Sequence, residues 1–382
     1  MIHYRSLMPL FALGVLAQAS YAQGDPKKPG ATAEPVKVDA AKSQAAKSQV
    51  GESRNSALPD LSQDKLRPRG VTPKIELAIQ KGLRYLGRTQ NRDGSWRNSG
   101  GYGSYPVAMT ALAGVALCMS GSTPTRGKYA PQIRRSVEFL LRQALPNGLI
   151  TAMNEESRPM YGHGFSTMYL AEIYGMEEDA KRQKKIHRIL TRACKLIAKS
   201  QSFAGGWLYA PDDAGDEGSV TITEVQALRA CRNAGIAVDP KVVAKAVKYI
   251  SDSQNPDGGI RYTARGGGSS RPPITAAAVA VLYNAGRYDD PMAEKAMKYA
   301  KRTIPISGSG HHYYAHLYLS QAIYQKGGKD WDTYYKKFAT YLLRQQRADG
   351  SWMGDGVGTT YGTAVALTIL QLPYARLPIY QR

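Results

Sequence analysis

Apolar residues recur at intervals of three and four along several segments of the chain, which is the spacing of one buried face on an α-helix. Ile79, Leu83 and Leu86 give a clear example. Other segments, such as 276–282 and 363–370, are small and apolar on nearly every side, and predict helices that are buried all round. Because the two patterns alternate, we predict an all-α protein with half-buried helices outside and fully buried helices inside.

The alternation forms a repeated unit, with starts near residues 74, 131, 187, 241, 292 and 332. In the clearest copies the half-buried helix ends in glutamine, and a glycine turn follows, closed in three copies by tryptophan. Glycine permits the positive backbone dihedrals of such a turn, glutamine can bond its exposed backbone groups, and tryptophan can pack over it. These structural positions are Gln90, Gly94, Trp96, Gln201, Trp207, Gln254, Gly258, Gln346, Gly350 and Trp352.

Six helix pairs predict an α/α toroid with two concentric layers, as a single domain over residues 71–382. An open solenoid is the alternative, and it would need a polar capping repeat, which the last unit does not show.

The spacing Gln-x-x-x-Gly-x-Trp, seen at Gln90 to Trp96 and Gln346 to Trp352, resembles the repeat motif of squalene-hopene cyclases and protein prenyltransferases. Within that family the chain is similar to exported bacterial repeat proteins without a settled activity. Segments 160–165, 219–221 and 361–382 carry this closer likeness. The resemblance implies the toroid fold, but that fold serves unrelated activities.

The chemistry implied by the resemblance does not fit the residues present. Squalene-hopene cyclases protonate an alkene with an Asp-x-Asp-Asp acid, and this sequence has none. Prenyltransferases hold zinc with an Asp-x-Cys pair, whereas Ala116, Arg192 and Arg229 stand two residues before the three cysteines. The run Asp212 to Asp216 matches a diphosphate-binding pattern, but proline and glycine indicate a loop, so it is a weak diphosphate or calcium candidate and otherwise a solvated acidic loop.

In a toroid the loops that precede the inner helices converge at one end of the ring, which we call the mouth. This geometry selects a pocket for a ligand. The pocket candidates are Tyr102, Tyr105, Tyr161, Thr221, Arg271, His312, Tyr313, His316, Asp355 and Tyr361. The sequence has 25 tyrosines against 5 phenylalanines, which suits either a cavity with aromatic walls and polar tips or packing between helices.

Asp216, Glu224 and His163 are the candidate catalytic residues, for proton transfer. His312 and His316 are four residues apart, so on a helix they share a face and could bind a metal together with His163. Histidines bonded within the protein are the favoured alternative, so we expect no cofactor. Where related proteins usually carry Trp-Gln, this chain has Thr223-Glu224, which puts a role transferred from the family in doubt.

The first 22 residues resemble a secretory signal, with Arg5, a short apolar run and small residues before a cleavage point near Ala22. Residues 23–70 are rich in Ala, Lys, Ser, Pro, Gln and Asp and contain no aromatic residue, which predicts a disordered tether. We therefore expect an exported protein. The net charge of +21 indicates a solvated basic surface, or attraction to an anionic envelope component or membrane surface. No nucleic-acid motif is present, and the three cysteines predict buried thiols or one Cys194–Cys231 bridge.

Three functions remain open from the sequence. The first is a non-catalytic protein that binds a hydrophobic or amphiphilic ligand, isoprenoid-like in character, or a partner at the mouth. The second is a diverged terpenoid cyclase or transferase. The third is a glycan hydrolase or lyase, with Asp216, Glu224 or Asp355 as acid and base.

Overall fold

Twelve α-helices alternate between an outer and an inner layer in the computed structural model, which describes residues 67–381 except Tyr102. The predicted signal peptide and residues 23–66 of the predicted tether lie outside the described residues. The outer helices are α1 (Pro73–Thr89), α3 (Ala130–Gln143), α5 (Ala180–Lys199), α7 (Pro240–Asp252), α9 (Pro291–Thr303) and α11 (Gly328–Gln345). The inner helices are α2 (Pro106–Cys118), α4 (Pro159–Tyr174), α6 (Gly218–Asn233), α8 (Pro272–Asn284), α10 (His312–Lys326) and α12 (Thr359–Gln371).

The two layers follow from the hydrophobic pattern. Outer helix α1 buries only one stripe, which includes Ile79, Leu83 and Leu86. Inner helix α2 is buried along its whole length, and α8 is buried from Ile274 to its end. Three outer helices begin at aspartates, Asp179, Asp239 and Asp290, whose side chains accept the first free amides. No helix of the described residues has both the length and the apolar character needed to cross a bilayer.

The inner helices close into a ring. Each one contacts the next in chain order, and α12 returns to pack against α2. Hydrogen bonds also join the last repeat to the first: Gln346 Nε2 donates to the Ala78 carbonyl over 2.9 Å, and Gln371 Nε2 donates to the Ala116 carbonyl over 3.0 Å. The all-α toroid is therefore confirmed.

Two outer helices begin earlier than predicted. Helix α5 starts at Ala180 rather than near 187, because its first turns carry lysine and arginine in place of the apolar stripe. Helix α11 starts at Gly328, with Gly327 alone separating it from α10. The other four starts lie within a residue of the prediction.

The glutamine turns tie each repeat to its neighbour. Gln90 Nε2 donates to Gly94 O within its own turn and to Gln132 O at the start of α3, both over 2.9 Å. Gln201, Gln254 and Gln346 make the same pair of bonds. Trp207 is fully buried, and its Nε1 donates to the Ile197 carbonyl over 2.8 Å. The motif thus joins repeats edge to edge around the ring.

Residues 372–381, which we call the floor segment, cross the end of the ring where the inner helices finish. The segment contains two 3-10 turns, Leu372–Tyr374 and Pro378–Tyr380, which contact α6, α10 and α12. Arg376 donates to the Met119 carbonyl over 2.9 Å, just beyond α2. Ile379 and Tyr380 are buried. The toroid is therefore covered at this end and open at the mouth.

Candidate functional site

A cavity of about 810 Å³ lies at the mouth, among the first turns of the inner helices. Every inner helix contributes at least one lining residue, so all six helices begin around this space. The residues concerned are Met109 of α2, Phe165 of α4, Ser219 of α6, Ile274 of α8, Ala315 of α10 and Tyr361 of α12. A volume of this size is typical of small-molecule sites.

The walls of the cavity are aromatic and aliphatic. Tyr161 and Tyr209 lie with ring centroids 6.0 Å apart, and the hydroxyls of Tyr209 and Tyr262 are hydrogen-bonded to each other. The Tyr161 hydroxyl is 2.6 Å from Ser219 Oγ and donates to Glu217 over 3.0 Å. Burial raises the pKa of Tyr161, with a further contribution from the Glu217 charge, so its hydroxyl stays protonated.

Two arginines supply the positive charge at the cavity. Arg158 and Arg271 both line the space, each at the residue before an inner helix, and both are exposed. The Arg158 guanidinium lies 4.2 Å over the Tyr209 ring. Neither arginine forms an ion pair with a carboxylate of the described residues. They are therefore free to bind an anionic group of a ligand.

Carboxylates near the mouth are engaged as helix caps. Asp355, the only carboxylate lining the cavity in the described part of the chain, accepts the Tyr314 amide of α10 over 3.1 Å. Glu217 caps α6 through the amides of residues 219 and 220. Glu156 accepts the Val107 amide of α2 over 2.8 Å, and burial raises its pKa. These side chains satisfy free helix amides.

Two polar atoms at the cavity have no hydrogen-bond partner. His312 Nε2 and the Tyr314 hydroxyl are buried and unbonded, and both residues line the space. Burial lowers the pKa of His312, so the ring is neutral at physiological pH.

The three candidate catalytic residues lie outside the cavity lining. Glu224 is fully buried, and the nearest charge that affects it is Cys194 on α5, in the outer layer. His163 is also fully buried; its Nδ1 accepts the Ile150 amide over 3.2 Å, and burial lowers its pKa to about 4. Asp216 accepts the Ala264 amide over 3.1 Å and so links two mouth loops.

The pocket candidates divide into two groups. Those that line the cavity are Tyr105, Tyr161, Arg271, His312, Asp355 and Tyr361. Thr221 lies outside it, because its hydroxyl accepts the Trp207 amide over 3.0 Å as part of the glutamine turn. Tyr313 and His316 point away from the space, and Tyr102 lies outside the described residues. Six of the nine pocket candidates that the structure describes therefore line the cavity.

The candidate metal-binding histidines are held by contacts within the protein. His312 and His316 are adjacent, with ring centroids 4.5 Å apart. However, both nitrogens of His316 are bonded, to the Tyr334 hydroxyl over 2.8 Å and to the Pro305 carbonyl over 3.0 Å. Burial lowers its pKa to about 3. The described residues contain no group of three or more metal-ligating side chains. Cys118, Cys194 and Cys231 are buried free thiols.

Some of the residues that line the cavity were not predicted from the sequence. Arg158 precedes Pro159 just as Arg271 precedes Pro272, and this shared Arg-Pro pair at a helix start could have identified it. Tyr209 and Tyr262 lie in long loops where no pattern marks one tyrosine among several. Residues 303–305 and 308–311 also border the cavity.

The fold and the cavity define an α/α-toroid protein of terpene-cyclase architecture. No family model matches the chain. A stretch of 184 residues, 48% of the chain, is 27% identical to drimenyl diphosphate synthase from Streptantibioticus cattleyicolor and covers 32% of that protein. The chain thus matches about a third of the length of this curated relative.

Solved structures show the same fold at low identity. A variant of the type II terpene cyclase MstE from Scytonema, in complex with its substrate geranylgeranyl dihydroxybenzoate, superposes with a TM-score of 0.54 at 15% identity, covering 80% of this chain and 98% of that chain. An α-1,6-mannanase from Salegentibacter, in complex with α-1,6-mannotriose, gives a TM-score of 0.57 at 8% identity, covering 78% and 98%. The resemblance to squalene-cyclase-like proteins is confirmed.

Proposed function

We propose that the toroid binds an isoprenoid-like amphiphile, with the apolar part of the ligand in the cavity and an anionic head at the two arginines. The observation that carries the proposal is the cavity itself. It has aromatic and aliphatic walls contributed by all six inner helices. Arg158 and Arg271, the only arginines or lysines that line it among the described residues, are exposed and free of ion pairs.

The comparisons support an isoprenoid in particular. MstE, with the same fold, binds a geranylgeranyl compound. Because that likeness is in fold alone, the ligand class for this chain depends on its own cavity walls. Burying such a chain removes apolar surface from water, at about 25 cal/mol per Å². The protein then needs no catalytic acid or metal to hold its ligand, and a chelator should leave binding unchanged.

A binding measurement with paired ligands tests the proposal. Geranylgeranyl phosphate and the neutral alcohol geranylgeraniol are each titrated against the wild type and two variants. The double variant Arg158→Gln, Arg271→Gln should weaken the phosphate about tenfold and leave the alcohol unchanged, because only the head loses its partners. Ala315→Trp, which fills the cavity, should abolish both.

Arg84→Gln, an exposed arginine on the outer helix α1, is the control and should bind like the wild type. If neither ligand binds the wild type, or if Ala315→Trp binds both normally, the proposal fails.

A terpenoid-acting enzyme is the second candidate, and the sequence match to drimenyl diphosphate synthase favours it. Asp355 is the only carboxylate lining the cavity among the described residues, so it would be the proton donor. Incubation with prenyl substrates and analysis of products by mass spectrometry tests this. A cyclised product that disappears in Asp355→Asn would establish turnover.

A glycan-acting enzyme is the third candidate, since a mannanase has the same fold. Glycoside hydrolysis commonly uses two carboxyl groups on either side of the scissile bond, and one lines this cavity.

Export is also a proposal. Fractionation of cells, with sequencing of the mature N-terminus, should find a protein outside the cytoplasm that begins after Ala22.

A further inference from the structure

Helix α5 has a different charge from the other outer helices. Every other outer helix carries at least one acidic residue, and α5 carries none between Ala180 and Lys199. The acidic residues on the other five are Glu76, Glu138, Asp252, Glu294, Asp330 and Asp332. Six exposed cations on α5 form what we call the basic ridge: Lys184, Lys185, Arg188, Arg192, Lys195 and Lys199.

The ridge is a single straight row. From Lys185 to Lys199 the cations recur at three and four residues, so their side chains share one face of the helix. At a rise of 1.5 Å per residue the row is about 22 Å long, with a positive charge about every 5 Å. The opposite face of α5, with Ile186, Leu190 and Ile197, is buried against the inner layer. The ridge therefore faces solvent along its whole length.

Several cations on other outer helices form ion pairs within the protein, whereas no cation of the ridge does. Lys248 pairs with Asp252, Lys298 with Glu294 and Lys301 with Asp330. On α5 itself, Arg182 precedes the ridge and pairs with Glu177 and Glu138. No ridge residue forms an ion pair or a side-chain hydrogen bond with any described residue. Six repelling charges in one row cost stability unless an anion lies along them.

We propose that the basic ridge binds a linear polyanion, an extended chain of phosphate or carboxylate groups lying along α5. A row of cations one residue wide fits an extended polymer better than it fits a flat surface such as a membrane. No large apolar side chain of α5 is exposed, so the helix lacks the groups that insert into a bilayer. The site is on the outer wall and is independent of the cavity at the mouth.

Binding to defined polymers tests the ridge in the full chain. Inorganic polyphosphate is the phosphate probe and poly-L-glutamate is the carboxylate probe, each titrated at several salt concentrations. The ridge variant carries Arg188→Gln, Arg192→Gln and Lys195→Gln. The control carries Arg84→Gln, Lys295→Gln and Arg344→Gln, which removes the same charge from three other outer helices where these residues are exposed and unpaired.

The ridge variant should bind at least one polymer about tenfold more weakly than the wild type. The slope of log Kd against log salt should also fall by about two for polyphosphate, since three phosphate contacts are lost. The control should stay within about twofold. A variant with Arg188→Lys and Arg192→Lys should bind the polymer like the wild type, because charge rather than shape is required.

Three results would overturn the proposal: no polymer binding by the wild type, equal losses in the ridge and control variants, or a ridge variant that keeps polymer binding but loses adhesion to phosphatidylglycerol vesicles. The last would mark the ridge as a contact for a membrane.

Discussion

Replacing Glu224 with methionine should stabilise the protein, and the gain should grow with pH. Glu224 has no exposed surface, and neither carboxyl oxygen has a hydrogen-bond partner. Burial raises the pKa of its carboxyl well above 4.5, with a smaller contribution from the neighbouring Cys194 thiol. The group is therefore neutral in the folded protein under conditions where it is ionised in the unfolded chain.

The magnitude follows from this difference in protonation. Below pH 4.5 the carboxyl is neutral in both states and has no effect. Above pH 4.5 the unfolded state gains by ionising, so the free energy of unfolding falls by about 1.4 kcal/mol per pH unit until the folded pKa is reached. The loss is under about 1 kcal/mol at pH 5 and grows as the pH rises towards the folded pKa. Methionine has a similar volume and does not titrate, so the free energy of unfolding of the variant does not fall for this reason as the pH rises.

Urea denaturation of the wild type and of Glu224→Met at pH 5, 6 and 7 measures this. The difference in unfolding free energy between the two proteins should widen by about 1.4 kcal/mol per pH unit, because the other titrating groups cancel in the comparison. A difference that is constant across these pH values would show that Glu224 ionises in place. Binding of a prenyl ligand should be unchanged, since Glu224 lies outside the cavity.

The remaining predictions concern stability. Trp207→Ala should lower the free energy of unfolding by about 3–5 kcal/mol, because a fully buried ring and its hydrogen bond to a helix carbonyl are lost. Urea titration measures this, and a loss under about 1 kcal/mol would contradict the role given to the turn. Gly94→Ala should lower the free energy of unfolding by about 3 kcal/mol, since the new Cβ would lie 2.2 Å from a backbone oxygen. Gly286 also has a positive φ but lies in open space, so Gly286→Ala should cost only about 1 kcal/mol. Equal costs for the two variants would refute the packing argument. For His163, whose pKa burial lowers from 6.5 to about 4, the free energy of unfolding of the wild type relative to a His163→Leu variant should fall by about 3 kcal/mol between pH 6.5 and 4, because the other titrating groups cancel in the comparison.

The layers and the ring could be predicted because they depend on periodicity. Segments such as 276–282 have no polar face, so they must lie inside, and a stripe like that of Ile79 and Leu83 must face them. The start of α5 was missed because its first turns are polar and depend on the cap at Asp179 rather than on buried contacts. Local chemistry of this kind leaves little trace in a hydrophobic pattern.

The site was only half predictable because the direction of a side chain on an inner helix depends on single residues. In the run His312-Tyr313-Tyr314 the first and third residues line the cavity and the second does not, although all three lie in the first turn of α10. Glu224 and His316 lie on inner helices but face the outer layer. The distance along the sequence from the mouth does not distinguish side chains that line the cavity from those that face the outer layer. The rotation of each helix about its axis does.

The floor segment closes one end of the ring, so a molecule that enters the toroid through the mouth must also leave through the mouth. It also shields Glu172 on α4, whose carboxyl has its pKa raised to about 7 by burial, and whose neighbours are Ile379 and Tyr380. Deleting residues 372–381 would admit water from below and shorten the residence time of an occupant. On the proposed function, protein purified without detergent should retain a bound amphiphile, and the shortened chain should lose it during washing.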